Sequence, residues 1–211
     1  MKQIICYGDS NTFGYIPGSG KRYSKDIRWT GVLSNLLGDE YKVIEEGCNN
    51  RTGFVRNPSG KLFSGSEYIN ECFIRHPEFD IFILSLGTND TQKFYTITPQ
   101  SIKEGLKKLV GKIKNQNEQG KLIIVAPLIL NTDVLKGGFS IQFDEESIER
   151  THWIQKVYSD FCRENGIIFF DINSYVEQSA IDGLHYSPEA HRKIADNLKD
   201  IILSCSFANS D

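Results

Sequence analysis

The sequence predicts a single α/β domain built on a five-stranded parallel sheet of flavodoxin-like strand order 2-1-3-4-5, with helices on both faces. Three observations lead there. Five short apolar runs are mostly continuous rather than alternating, as strands covered on both faces require. Helical periodicities fall between them. Glycines and small polar residues follow the first three runs, where a doubly wound sheet gathers its functional loops.

The first run, residues 3–7, leads into Gly8-Asp9-Ser10. Trp29, Val32, Leu33, Leu36 and Leu37 then repeat at helical spacing. The second run, 42–45, leads into Glu45-Glu46-Gly47 and Asn49-Asn50-Arg51-Thr52. The third, 81–86, leads into Gly87-Thr88-Asn89-Asp90, and a helix follows on Ile102, Leu106, Leu109, Val110 and Ile113. After the fourth run, 122–126, residues 127–144 are the least patterned stretch and read as a loop that covers a site. A helix over 145–165 stops at Gly166, and the fifth run is 167–170. Ser187-Pro188-Glu189 caps and opens the last helix, whose buried face carries Ile194, Ala195, Leu198, Ile201 and Ile202. The domain is expected to occupy 1–205, with 206–211 as a tail.

Composition narrows the function. Apolar residues make up 39% and charged residues 24% of 211, which suits a globular chain. A net charge of −3, without a long basic run, argues against a nucleic-acid partner. No apolar stretch approaches the ~20 residues of a membrane helix, and the N-terminal apolar run is too short for a signal peptide. The expectation is a cytoplasmic protein without a membrane partner. Five widely spaced cysteines with no CxxC pair read as free thiols rather than a disulfide or zinc framework.

The polar loops supply a specific chemistry. A serine hydroxyl needs a base to remove its proton, and the base needs a partner that fixes its tautomer. Asp182 and His185, three apart just before the last helix, can form that pair and leave the far ring nitrogen for Ser10. Charge developing on an attacked carbonyl oxygen needs fixed donors. The backbone N–H of Ser10, the side-chain amide of Asn89 and a backbone N–H near Asn50 are candidates. Asp9 is expected to brace its loop, and Asp90 to be structural. Arg28 and Trp29 are expected to tether a loop and to pack. His191, six residues beyond His185, does not share its helix face, so no two-histidine metal site is expected.

Together these segments resemble the SGNH, or GDSL-type, esterase and acylhydrolase superfamily. The resemblance rests on Gly8-Asp9-Ser10 after the first strand, Gly87-Thr88-Asn89-Asp90 after the third and Asp182-Gly183-Leu184-His185 before the last helix. Residues 26–33, Glu45-Glu46-Gly47 with Arg51-Thr52, and residues 86–91 look like its arylesterase/acyltransferase branch. The resemblance implies the SGNH hydrolase fold, Ser10 as nucleophile, His185 as base and Asp182 as its partner. It implies an oxyanion hole made by Asn89 and the backbone N–H groups of Ser10 and Asn50. Two positions depart from the pattern: Asn50 stands where the family has glycine, and Asn11 where it has leucine. Asn tolerates left-handed backbone geometry, so the donor at 50 can survive.

The expected activity is hydrolysis of small carboxylic esters, short acyl or acetyl, with acyl transfer to alcohols where an alcohol precedes water. No metal or cofactor is required. Asn11, Phe13 and Thr88 are expected to contact substrate, and residues 54–66 and 127–144 to line or cover the site. Self-association is expected from the branch. The competing reading is a flavodoxin-like flavin- or ligand-binding module, opposed by the negative charge of Asp9 in the first loop.

Overall fold

The computed structural model describes residues 1–207. Five parallel strands, β1 (Lys2–Gly8), β2 (Tyr41–Gly47), β3 (Ile81–Ser85), β4 (Lys121–Val125) and β5 (Ile168–Phe170), form one sheet in the order β2-β1-β3-β4-β5. The register places Ile5 between Ile44 of β2 and Phe82 of β3. This is the predicted order. It puts the β1, β2 and β3 loops side by side.

The helices are α1 (Ser10–Phe13), α2 (Trp29–Leu37), α3 (Gly65–Arg75), α4 (Pro99–Gln116), α5 (Glu145–Asn165) and α6 (Pro188–Phe207). Successive strand residues serve opposite faces. Ile4 and Cys6 of β1 join Ile81, Ile83, Ile123 and Val125 in a core covered by α2 and α6. Ile5 and Tyr7 join Ile44, Phe82, Leu84 and Ile124 in a second core covered by α3, α4 and α5. Because both faces are buried, the strands carry continuous apolar runs. Each fully buried Ile or Leu contributes about 2 kcal/mol to the fold.

The helix ends follow their sequence signals. Thr98 and Ser101 form a capping box ahead of α4, and Asp144 and Ser147 form one ahead of α5. Gly166 stops α5 in the left-handed region, at φ +62°. The Ser187 hydroxyl accepts the Ala190 N–H at 3.1 Å and opens α6. α6 continues to Phe207, two residues past the expected boundary at 205. The remainder of the expected tail, 208–211, lies outside the described residues. The helix α3 was not anticipated. Its signal was present in Ile69, Cys72 and Phe73, which face the core.

Arg28 and Trp29 tie α2 to β2 and to the core. Trp29 is buried, and the Arg28 guanidinium grips Glu45 through Nε at 2.9 Å and Nη2 at 2.8 Å. Arg22 and the Thr30 hydroxyl donate to the same carboxylate at 2.8 Å. Glu46 faces the other way and binds Arg75 and His76, so the adjacent acids form no joint site. His191 is buried, and its Nδ1 accepts the Trp29 N–H at 3.1 Å. All five cysteines are free; Cys6, Cys72 and Cys162 are buried, while Cys48 and Cys205 are partly exposed.

The short helix α1 lies directly on the end of β2. A Cβ at Gly47 would stand 2.2 Å from the Phe13 nitrogen and 2.6 Å from its Cα, backbone atoms that cannot rotate away. We therefore expect Gly47→Ala to cost about 3 kcal/mol in urea unfolding and to displace the loop that carries Ser10. Wild-type stability in this variant would show that α1 is free to lift from the sheet.

Candidate active site

The loop after β1 turns sharply into α1. Asp9 caps that helix, its Oδ1 accepting the Asn11 N–H at 2.9 Å, and Gly14 ends it at φ +87°. Ser10 is the first residue of the helix, so its N–H has no carbonyl one turn back to bond.

The loop before α6 is folded around Asp182. Its Oδ1 accepts the backbone N–H of Leu184 at 3.1 Å and of His185 at 3.0 Å. Its Oδ2 lies 2.8 Å from His185 Nδ1. His185 Nε2 then lies 3.0 Å from Ser10 Oγ, across 175 residues of chain. Burial pushes the Asp182 carboxyl up, but the hydrogen bonds from the His185 ring and backbone and from Leu184 outweigh it. The net effect is a pKa below the usual carboxylate range. An ionised partner fixes a proton on Nδ1 and leaves Nε2 able to accept one. Tyr15 stacks on the imidazole at 4.2 Å between ring centroids, and Phe139 approaches it at 5.2 Å.

The loops after β2 and β3 complete the arrangement. Arg51 N–H bonds the Cys48 carbonyl at 3.2 Å and closes a four-residue turn. Asn50 is its third residue, at φ +60°, the one non-glycine residue in the left-handed region among those described. The backbone geometry that glycine would serve is therefore held by Asn. Asn89 donates one Nδ2 hydrogen to the Arg51 carbonyl at 3.1 Å. Asp90 turns away from the cavity. Its carboxylate accepts three consecutive N–H groups, from Gly53 at 2.5 Å and from Phe54 and Val55 at 2.9 Å.

Ser10, His185, Asn50 and Asn89 border a cavity of about 170 Å³. Its remaining walls are Tyr15, Asn49, Phe139, Gln142 and Leu184. Larger hollows lie elsewhere, such as one of about 470 Å³ beside the start of α6. That one contains none of the serine, histidine or oxyanion-type donor groups described above.

The family described as GDSL-like Lipase/Acylhydrolase matches residues 6–193. The chain belongs to that family. No curated protein sequence matches it. Among solved structures, the inhibitor-bound aryl esterase of M. smegmatis is 29% identical, with a TM-score of 0.89 over 97% of this chain and 99% of that one. A carbohydrate acetylesterase from Sinorhizobium meliloti is also 29% identical, with a TM-score of 0.87 over 97% of this chain and all of that one. A lipase/acylhydrolase from Enterococcus faecalis, at 19% identity and a TM-score of 0.72, shares the fold. This acylhydrolase is a carboxylic ester hydrolase, and the flavin-module alternative is set aside.

Several expectations about the acylhydrolase's pocket need correction. Asn11 does not line the cavity. Its Nδ2 donates to the Leu184 carbonyl at 3.3 Å, and its Oδ1 accepts the Tyr186 N–H at 3.2 Å. Phe13 lies outside the cavity, with the Arg22 guanidinium 4.6 Å over its ring. Thr88 is buried, does not line the cavity and is hydrogen-bonded to Asp9. Of the two expected cover segments, 127–144 contributes Phe139 and Gln142, but 54–66 contributes nothing to the lining. The Phe54 side chain instead packs against the core beside α4. Phe139 and Gln142 were foreseen only as part of their segment, and Tyr15, Asn49 and Leu184 were missed, because no local sequence motif marks a residue that only the folded loops bring to a wall.

Asp9 braces its loop, as expected, from a buried position. It is 3% exposed, and burial raises its pKa from 3.8 to about 7, aided by the charge of Asp90 and opposed by the Asn11 N–H and Thr88. A raised carboxyl pKa means that the folded chain holds a proton the unfolded chain has released, from about pH 4 to 7. Stability therefore falls as pH rises through that window. Asp9→Asn keeps the cap acceptor and removes the titration. In urea unfolding we expect it to gain on the order of 2–3 kcal/mol relative to wild type between pH 5 and 8. A difference that stays constant with pH would show that Asp9 is ionised throughout.

Proposed function

We propose that this protein hydrolyses short-chain carboxylic esters through an acyl-serine intermediate on Ser10. The observation that carries the reading is the continuous contact Asp182–His185–Ser10, at 2.8 and 3.0 Å, opening on the cavity bordered by Asn50 and Asn89.

In this reading the ester carbonyl carbon sits against Ser10 Oγ. His185 Nε2 takes the hydroxyl proton as the Oγ–C bond forms, and Asp182 stabilises the resulting imidazolium. The carbonyl oxygen becomes an oxyanion, met by the N–H groups of Ser10 and Asn50 and by the second Nδ2 hydrogen of Asn89. Collapse expels the leaving alkoxide, which receives the proton from His185. Water then attacks the acyl-serine carbonyl with His185 again as base, releasing the carboxylic acid and restoring Ser10. An alcohol that enters before water takes the acyl group by the same route, giving a new ester. Tyr15 stacks on the imidazole while Phe139, in edge contact with Tyr15, approaches it from the side, and together they keep bulk water from it.

The cavity supports the choice of acyl group. About 170 Å³ is well below the ~300 Å³ at which drug-sized pockets begin, and it suits an acetyl group better than a fatty chain. The aryl esterase and carbohydrate acetylesterase similarities point the same way. The substrate partner proposed is thus a small-molecule ester.

Two measurements test the reading. With p-nitrophenyl acetate, Ser10→Ala should abolish turnover, and Asn89→Ala should lower kcat by about 10²–10³ with little change in KM. Turnover by Ser10→Ala at the wild-type rate would end the serine mechanism. Across p-nitrophenyl esters from acetate to octanoate, kcat/KM should fall by about tenfold or more. A flat or rising series would place the acyl chain outside this cavity.

A further inference from the structure

One buried side chain beside the cavity has no part in the steps above. Gln92 ends the turn that carries Asn89 and is 4% exposed. Its Nε2 has three acceptors within reach, from three separate loops. They are Asn50 Oδ1 at 2.9 Å, Asn89 Oδ1 at 3.0 Å and Gln142 Oε1 at 3.3 Å. An amide nitrogen carries two hydrogens, so the two shorter contacts take them, and the longer one to Gln142 shares a hydrogen with one of these.

We infer that Gln92 is a positioning residue: its side-chain amide holds the Asn89 amide in the one orientation that leaves an Nδ2 hydrogen for the cavity. The inference rests on the serine-esterase reading and on Asn89 as an oxyanion donor. A primary amide can turn over about its last bond, exchanging oxygen for nitrogen at nearly the same positions. For Asn89 the two orientations are far from equivalent. As it stands, Nδ2 faces the Arg51 carbonyl at 3.1 Å and Oδ1 faces the Gln92 donor. Turned over, Oδ1 would meet the Arg51 carbonyl and Nδ2 would meet the Gln92 nitrogen, two like pairs in a buried place. The turned amide would also present an oxygen to the developing oxyanion.

The same nitrogen reaches the other side of the hole. Its bond to the Asn50 side chain fixes the Gln92 amide itself, while the left-handed turn at Asn50 is closed by its own backbone bond from Arg51 N–H to the Cys48 carbonyl. The Asn50 carbonyl is held separately by Asn57 Nδ2 at 2.8 Å. Gln92 thus joins the two loops that supply donors at Asn50 and Asn89.

The test is a double-mutant cycle on purified full-length protein with p-nitrophenyl acetate. Gln92→Met keeps the side-chain length and removes the donors. We expect kcat to fall about tenfold with KM within about twofold, and we expect the same substitution to cost less than about twofold when Asn89 is already alanine. A second full tenfold loss in the Asn89→Ala background would overturn the positioning role and leave the esterase reading standing. If Asn89→Ala itself left kcat intact, the oxyanion reading would fall, and the inference with it. Gln92→Glu keeps the same test available should the methionine variant fail to fold. An ionised carboxylate only accepts, so it favours the turned amide; its loss of kcat should be at least as large and should likewise vanish beside Asn89→Ala.

Discussion

The amide of Asn11 holds together two parts of the chain that are far apart in sequence. It bonds the carbonyl of Leu184 and the N–H of Tyr186, the residues on either side of His185. The first loop of the sheet and the last loop before the final helix are thus joined through one side chain adjacent to Ser10. Everything chemical in the site depends on that junction. A contact of 3.0 Å between Ser10 Oγ and His185 Nε2 tolerates little drift, and neither loop alone fixes the distance. Leucine, usual at this position in the family that the sequence resembles, could make neither bond. This chain therefore reaches the junction with a polar side chain.

Two acids in the loops that carry the site, Asp9 and Asp90, are buried, and burial raises them to about 7 and about 6. Asp90 is nonetheless surrounded by donors, since Gly53, Phe54 and Val55 turn their N–H groups toward it. That carboxylate is what folds the segment after β2 onto the β3 loop, and it aligns the turn that carries Asn89. Asp182 lies on the other side of the balance: its donors outweigh its burial, and it remains a carboxylate. At Asp9 and Asp90 burial outweighs the hydrogen bonds each carboxyl receives, whereas at Asp182 the His185 ring and the backbone N–H groups together outweigh burial.

The fold was legible because its signals are local. Continuous Ile, Leu and Phe runs mark β1 and β3 to β5, apolar spacing marks α4, Gly166 marks the end of α5, and Ser187 marks where α6 begins. The candidate catalytic groups were legible for a related reason: Ser10, Asn89 and Asp182-to-His185 each lie in a short polar run at a strand or helix end. The walls were not. Tyr15 reaches the imidazole only because the chain after α1 doubles back, and Asn11, next to Ser10 in sequence, points away from the cavity. The helix α3 was obscured by its mean polarity, although its inward face is apolar. Adjacency along the chain indicated the candidate catalytic residues; it did not indicate which residues enclose them.

The segment 127–144 has a small core of its own. Leu130, Val134 and Phe143 pack on Leu184, with Leu135, Phe139 and Ile148 against them, apart from the two cores of the sheet. The segment can therefore be rebuilt as a unit. Its interior answers to a few side chains and one anchoring leucine, while the strands that hold the reacting groups are packed by other residues. Evolution or a protein engineer could exchange this cap, and with it the breadth of alcohols and acids admitted, while the sheet beneath kept its stability.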